Sequence, residues 1–222
     1  MRYRSAAAAA TAGAAAVLLL APPASAATTV AAWSMNETSG RTMQDATGRY
    51  AGSIGSDVVL TGKTYRFPKP SAAYRPQHLV TVPHAAALDP GTGAWSLTTR
   101  IRYTQASGNI VQKGQSGGGA YVKLESHRGG LSCLFRGSAG SKSVSTGSKD
   151  YNDGLWHTVT CKRVGSEVSL VIDGVTRRGT APTGAISSPR ALSIGGKSSC
   201  NGTTVGCDYW VGEMDLLRIE AG

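Results

Sequence analysis

Residues 94–104, AWSLTTRIRYT, alternate strictly: Trp95, Leu97, Thr99, Ile101 and Tyr103 share one parity, and Ser96, Thr98, Arg100 and Arg102 the other. A period of two marks an extended strand with one face in a core and one in water. It excludes an amphipathic helix, whose apolar positions recur at three and four. The same alternation returns at Leu131, Cys133 and Phe135, at Val168, Leu170 and Ile172, at Leu192 and Ile194, and at Leu217 and Ile219. Clusters of Gly, Pro, Ser and Asn separate such runs every 8 to 14 residues or so, the spacing of a sandwich or barrel. Asp173 and Gly174 stand between two runs as a two-residue hairpin turn with positive φ at both positions. The 152–154 stretch, NDG, reads as a turn of the same chemistry, and GQSGGGAY at 114–121 as a loop tip.

Composition supports the same class. The chain is rich in Gly, with 29, and in Ser and Thr, and poor in strong helix formers, so an all-β fold is expected. Residues 1–26 carry Arg2, Arg4, an Ala/Leu-rich run and the small-residue site Ala24, Ser25, Ala26, the pattern of a secretory signal peptide cut after Ala26. The run from Ala6 to Ala21 is too weakly apolar for a transmembrane anchor, and no Cys follows it to carry a lipid. Residues 27–222 are long enough for one core and short for two, so one domain is expected.

Four cysteines in a secreted chain imply two disulfides, with three possible pairings. Cys200 and Cys207 flank a turn-rich loop, NGTTVG, which they are expected to close. Cys133 and Cys161 would then join two neighbouring strands. A zinc site is not expected, because no C-x-x-C pair is present.

The charge is uneven. Residues 100–200 hold 14 Lys and Arg against 5 Asp and Glu, whereas residues 201–222 are net acidic. An anionic partner would therefore sit on the middle of the chain. Solubilising charge on outward strand faces is the competing explanation.

Seven stretches in order resemble the laminin G-like branch of the concanavalin A-like lectin/glucanase superfamily. They include WSMNETSGRTMQDATGRYAGSI, AWSLTTRIRY, NIVQKG, DGLWHTVTCKRVGSEVSLVIDG, ALSIGGK and DYWVGEMDLLRIEAG. The resemblance implies a jelly-roll β-sandwich of two antiparallel sheets, with the first and last strands adjacent. It also implies a module that binds glycans or proteins, or an enzyme on the same scaffold.

The catalytic option is weak. Retaining glucanases of the superfamily set paired carboxylates on one strand as E-x-D-x-E, but GEMDLLRI offers Glu213 and Asp215 with Leu217 at the third position. No catalytic residue is therefore assigned. Asp215 shares parity with Leu217 and Ile219 and so is expected to face apolar surroundings, where a charge needs compensation. Calcium-binding members of the superfamily pair an acid on the last strand with an acid and carbonyls of the N-terminal loop. A structural calcium is thus expected from Asp45, the carbonyl of Gly48 and Asp215. The alternative is that Asp45 caps its own Gly-rich turn.

For a glycan, aromatic rings stack on sugar C–H faces and basic groups favour acidic polysaccharides. The expected ligand-binding set is Tyr121, Lys113, Arg128, Arg136 and Tyr151. Tyr50, Tyr74 and Trp210 are further candidates, although Trp210 and Trp95 lie in strands and read as core. His78, His84 and His127 are scattered and read as surface histidines. Asn36 and Asn201 begin N-x-T sequons, expected to be bare because the Ala-, Gly- and Arg-rich composition fits a high-GC bacterium.

DGLWHTVTCKRVG, residues 153–165, sets Asp153 four positions before His157, which invites an acid/base pair. Here Asp153 and Gly154 are expected to turn the chain into a strand, His157 to pack at the core edge and Trp156 to lie on the opposite face, so that Asp153 and His157 need not meet. The expectation is a secreted, extracellular, monomeric carbohydrate-binding module for an extracellular or cell-envelope partner, not nucleic acid and not membrane-spanning. A glycan-cleaving enzyme and a protein-protein adhesion module remain the alternatives.

Overall fold

The structure, a computed structural model, describes Met1 and residues 27–105, 107–115, 117, 119–147 and 150–222. The expected signal peptide at 1–26 lies outside the described residues apart from Met1. Among the described residues sixteen strands follow in order: β1 (Thr28–Trp33), β2 (Thr42–Met43), β3 (Gly52–Ile54), β4 (Val59–Leu60), β5 (Tyr65–Phe67), β6 (Val80–Val82), β7 (Trp95–Arg102), β8 (Gly108–Gly114), β9 (Tyr121–His127), β10 (Gly130–Gly137), β11 (Gly140–Ser145), β12 (His157–Val164), β13 (Glu167–Ile172), β14 (Val175–Thr180), β15 (Leu192–Ile194) and β16 (Gly212–Ala221).

They form two antiparallel sheets of eight strands. The first runs β14-β13-β12-β7-β16-β5-β4, with β1 also paired to β16; the second runs β11-β10-β9-β8-β15-β6-β3-β2. This is the expected jelly-roll sandwich. The chain ends meet through Thr28 opposite Ala221 and Trp33 opposite Leu217, so the first and last strands are adjacent.

The alternating residues of β7 fill the space between the sheets, with Trp95, Leu97, Thr99, Ile101 and Tyr103 all buried. Trp95 of the first sheet meets Phe135 of the second edge to face, ring centroids 5.8 Å apart, a favoured geometry for aromatic pairs. Burying each such ring contributes about 1.5–3 kcal/mol. At Asp173 and Gly174 φ is +49° and +82°, the conformation that the hairpin turn requires.

Both disulfides form as expected in pairing, Cys133 with Cys161 and Cys200 with Cys207. The position of the first differs from expectation. Cys133 lies on β10 and Cys161 on β12, so the bridge ties opposing sheets rather than neighbouring strands, over a Cα–Cα distance of 5.3 Å. Both residues alternate into the core, which places them face to face.

The last strand holds the second correction. The pairing of β16 with β7 shifts register between Met214 and Leu216. The extra residue of this bulge breaks the period of two: Met214, Leu217 and Ile219 are buried, and Asp215 turns away from them. Its compensation is Arg100, whose Nη1 lies 2.6 Å from Asp215 Oδ2.

Candidate functional site

Asp45 and Asp215, the two carboxylates expected in a calcium site, hold other partners. Asp45 accepts backbone N–H bonds from Ala32 (2.8 Å), Thr47 (3.2 Å), Arg49 (3.1 Å) and Tyr50 (3.0 Å), and a bond from the Thr47 hydroxyl. Burial alone would raise its pKa, but these donors together hold it below the ordinary value. Asp45 is the cap of its own turn. With Asp215 committed to Arg100, the set Asp45, Gly48 and Asp215 does not fit a calcium ion. No group of three or more His, Cys, Asp or Glu side chains among the described residues could hold a metal.

The five expected ligand residues divide. Lys113 points inward, because its cross-strand partner Val122 is a core residue. Its side chain is 1% exposed, with the ammonium 2.6 Å from Asp89 Oδ1 and 2.6 Å from the carbonyl of Ser188, so it is half of an internal ion pair and not a surface cation. Tyr151 is buried too, edge-on to His157 at 5.1 Å. Tyr121 is largely buried beside exposed Arg136, its cross-strand partner on the outer face of the second sheet. Arg128 is exposed on the turn from β9 to β10 with φ +50°. Trp210 and His78 are fully buried, while Tyr74 is exposed and Tyr50 half-buried.

Asp153 and His157, which the turn did not oblige to meet, are in contact. His157 Nε2 lies 3.1 Å from Asp153 Oδ1 and Nδ1 lies 2.7 Å from Asp173 Oδ2. Neutral imidazole has one N–H, so two carboxylate partners require the doubly protonated ring. Burial opposes that charge, but the two carboxylates outweigh it and raise the His157 pKa above its ordinary 6.5. With both ring nitrogens engaged, the triad is a clasp between the 152–154 turn and the 173–174 hairpin.

The residue overlooked in the sequence is Trp156. It starts the outer face of the first sheet, half-buried, with the Arg100 guanidinium 4.7 Å and that of Arg102 5.1 Å from its ring centroid. Arg102 Nη2 bonds Glu213 Oε1 at 2.9 Å, and the Thr64 hydroxyl donates to the other oxygen of Glu213 at 3.1 Å. Arg66 stands opposite Glu213 across β5 and β16. Alternation puts Lys162, Arg178 and Arg218 on the same face, which with Arg66, Arg100 and Arg102 holds six cations against the four acids Glu167, Glu213, Asp215 and Glu220. Among the described residues Arg66 and Lys162 have no ion-pair partner. Beside Trp156 runs a groove of about 320 Å³, lined by Arg66, Pro68, Arg102, Thr104, Val211 and Glu213. A run of outward arginines on β7 and a tryptophan before β12 are the signal that could have located this face.

A two-sheet jelly roll with paired termini, two disulfides and a cation-rich outer sheet is the architecture of a β-sandwich binding module. The family model of the laminin G domain matches residues 101–221, and the chain belongs to that family. Among solved structures it is similar to mouse laminin α1 domains LG4-5 (20% identity, 59% of this chain and 37% of that one, TM-score 0.51). It is also similar to the binding domain of botulinum neurotoxin serotype G (13% identity, 87% and 47%, TM-score 0.62) and to Trypanosoma rangeli sialidase in complex with sialic acid (12%, 86% and 30%, TM-score 0.62). The chain spans less than half the length of each, and at these identities the likeness is one of fold. No curated protein matches the chain. The family and the two disulfides fit an extracellular protein, and among the described residues no helix is long and apolar enough to cross a membrane.

Proposed function

We propose that the chain is a secreted glycan-binding module whose ligand is an anionic polysaccharide, held on the outer face of the first sheet. The observation that carries this reading is the half-buried Trp156 among Arg100, Arg102 and unpaired Arg66, beside an open groove. Asp215 and Glu213 fix two of the guanidiniums in place, so little side-chain entropy is lost on binding. The cation surplus supplies attraction that falls with salt. The ring and the groove wall supply apolar contact for sugar C–H faces.

A glycan array read at several salt concentrations tests it. Binding should concentrate on uronate or sulfate glycans and weaken as salt rises. Arg136→Ala and Arg128→Ala, which alter the outer face and rim of the second sheet, separate that surface from this one: loss of binding there and not in Arg66→Ala would move the site. A protein ligand captured with no glycan dependence would favour the adhesion reading.

A further inference from the structure

Of the ion pairs among the described residues, Lys113 with Asp89 is the one in which both side chains are nearly fully buried, 1% and 4% exposed. We propose that this pair condenses to an amide, an internal cross-link between Lys113 Nζ and Asp89 Cγ that the folded chain forms by itself. The proposal is independent of the reading given to the Trp156 face.

The reactants are held out of water. Lys113 stands between its cross-strand neighbours Val122 and Leu192, both buried, and Asp89 lies between buried Leu88 and Pro90. The ammonium is 2.6 Å from Asp89 Oδ1, but the contact lacks the alignment of a hydrogen bond: Oδ1 is buried and accepts none among the described residues. Two charges are thus kept from solvent by their mutual attraction, and such burial is costly. Condensation removes both charges.

The surroundings already match the product. The Ser188 N–H donates to Asp89 Oδ2 at 3.2 Å and the Ser187 hydroxyl donates to it at 3.3 Å. The Ser188 carbonyl accepts from Lys113 Nζ at 2.6 Å. Once the bond forms, Oδ2 is the amide oxygen and keeps its two donors, while the remaining N–H keeps the Ser188 carbonyl. During attack negative charge gathers on Oδ2, where those donors point. His84 Nδ1 lies 3.2 Å from Nζ on an exposed ring, placed to carry a proton from the nitrogen.

The step balances with no co-reactant. One proton passes from the ammonium to Oδ1, and the freed lone pair of Nζ attacks Cγ. His84 takes a second proton from Nζ and gives it up as Oδ1 departs with its bonding electrons. A C–N bond replaces a C–O bond, one water leaves, and nothing is oxidised or reduced. Well-oriented intramolecular partners reach effective concentrations of about 10⁵ M or more, which offsets the tendency of water to hydrolyse the product. Asp89 precedes β7 of the first sheet and Lys113 lies on β8 of the second. The bond therefore ties the two sheets, as Cys133 and Cys161 do, in a form that reductant leaves intact.

Mass spectrometry of the purified full chain, reduced and alkylated, tests it. The chain should be lighter by one water than its sequence requires. Trypsin should leave the bond after Lys113 uncut and release one branched peptide that joins the Asp89 and Lys113 segments. Lys113→Arg and Asp89→Ala should each keep the full mass. His84→Ala, altered at an exposed position and sampled over time after synthesis, should form the branched species at least about tenfold more slowly; an equal rate would overturn the role given to His84. Full mass in the folded wild type, with ordinary cleavage after Lys113, would overturn the cross-link. So would a water loss that maps to a cyclic imide at Asp153 or Asp173, each of which precedes a glycine.

Discussion

The His157 clasp makes a pH dependence calculable from its geometry. The folded protein holds a proton on His157 that the unfolded chain gives up near the ordinary pKa of 6.5. The raised native value therefore adds stability that is complete below about pH 6.5 and is lost as pH rises through that higher value. Asp153 runs the other way: its backbone bond to Leu155 and its bond to His157 lower its pKa, so its contribution is complete above the ordinary value of 3.8 and is lost as pH falls below it. Asp153 and Asp173 are 46% and 47% exposed, so each pair is screened as a surface pair is. At about 0.2–1 kcal/mol per pair, the clasp supplies roughly 1 kcal/mol. For a domain of this size that corresponds to a melting shift of about 2–4 °C. Melting curves of wild type and His157→Ala between pH 5 and 9 check it. The two should differ most near pH 5 to 6 and converge as pH rises, with glycan binding unchanged in the variant. A difference that is constant with pH would show that His157 acts by packing alone and refute the charged clasp.

Lys113→Met should cost about 3–5 kcal/mol, measured by urea denaturation, because it leaves Asp89 buried without its partner; a change under 1 kcal/mol or so would mean that water reaches the carboxylate. Millimolar calcium should leave the melting temperature unchanged, since Asp45 spends its oxygens on backbone donors; a rise that grows with calcium concentration would show that a metal displaces them.

The sandwich was legible because its evidence is local. Trp95 to Tyr103, Cys133 and Cys161 alternate without interruption, and period alone assigns their face. Asp215 was misread because a bulge between Met214 and Leu216 inserts a residue, and parity arithmetic does not survive an insertion that only the partner strand reveals. Lys113 was taken for a surface cation because every residue of β8 is buried, and a strand covered on both faces carries no alternation to read. The meeting of His157 with Asp153 and Asp173 depends on two turns closing toward one strand end, a long-range fact. Trp156 is the same kind of case: its arginines come from β7, some fifty residues earlier in the chain, and only the β7–β12 pairing brings them under the ring.

The central claim is that the Trp156 face binds an anionic polysaccharide, and isothermal titration with a polyuronate or a sulfated glycan measures it most directly. Wild type should bind with an affinity that falls steadily as salt rises. Trp156→Ala and Arg66→Ala should each weaken binding up to about fivefold, the effect of losing about 1 kcal/mol of exposed cation–π or ionic contact. Salt-independent binding, or full affinity in the folded double variant, would contradict the assignment of that face.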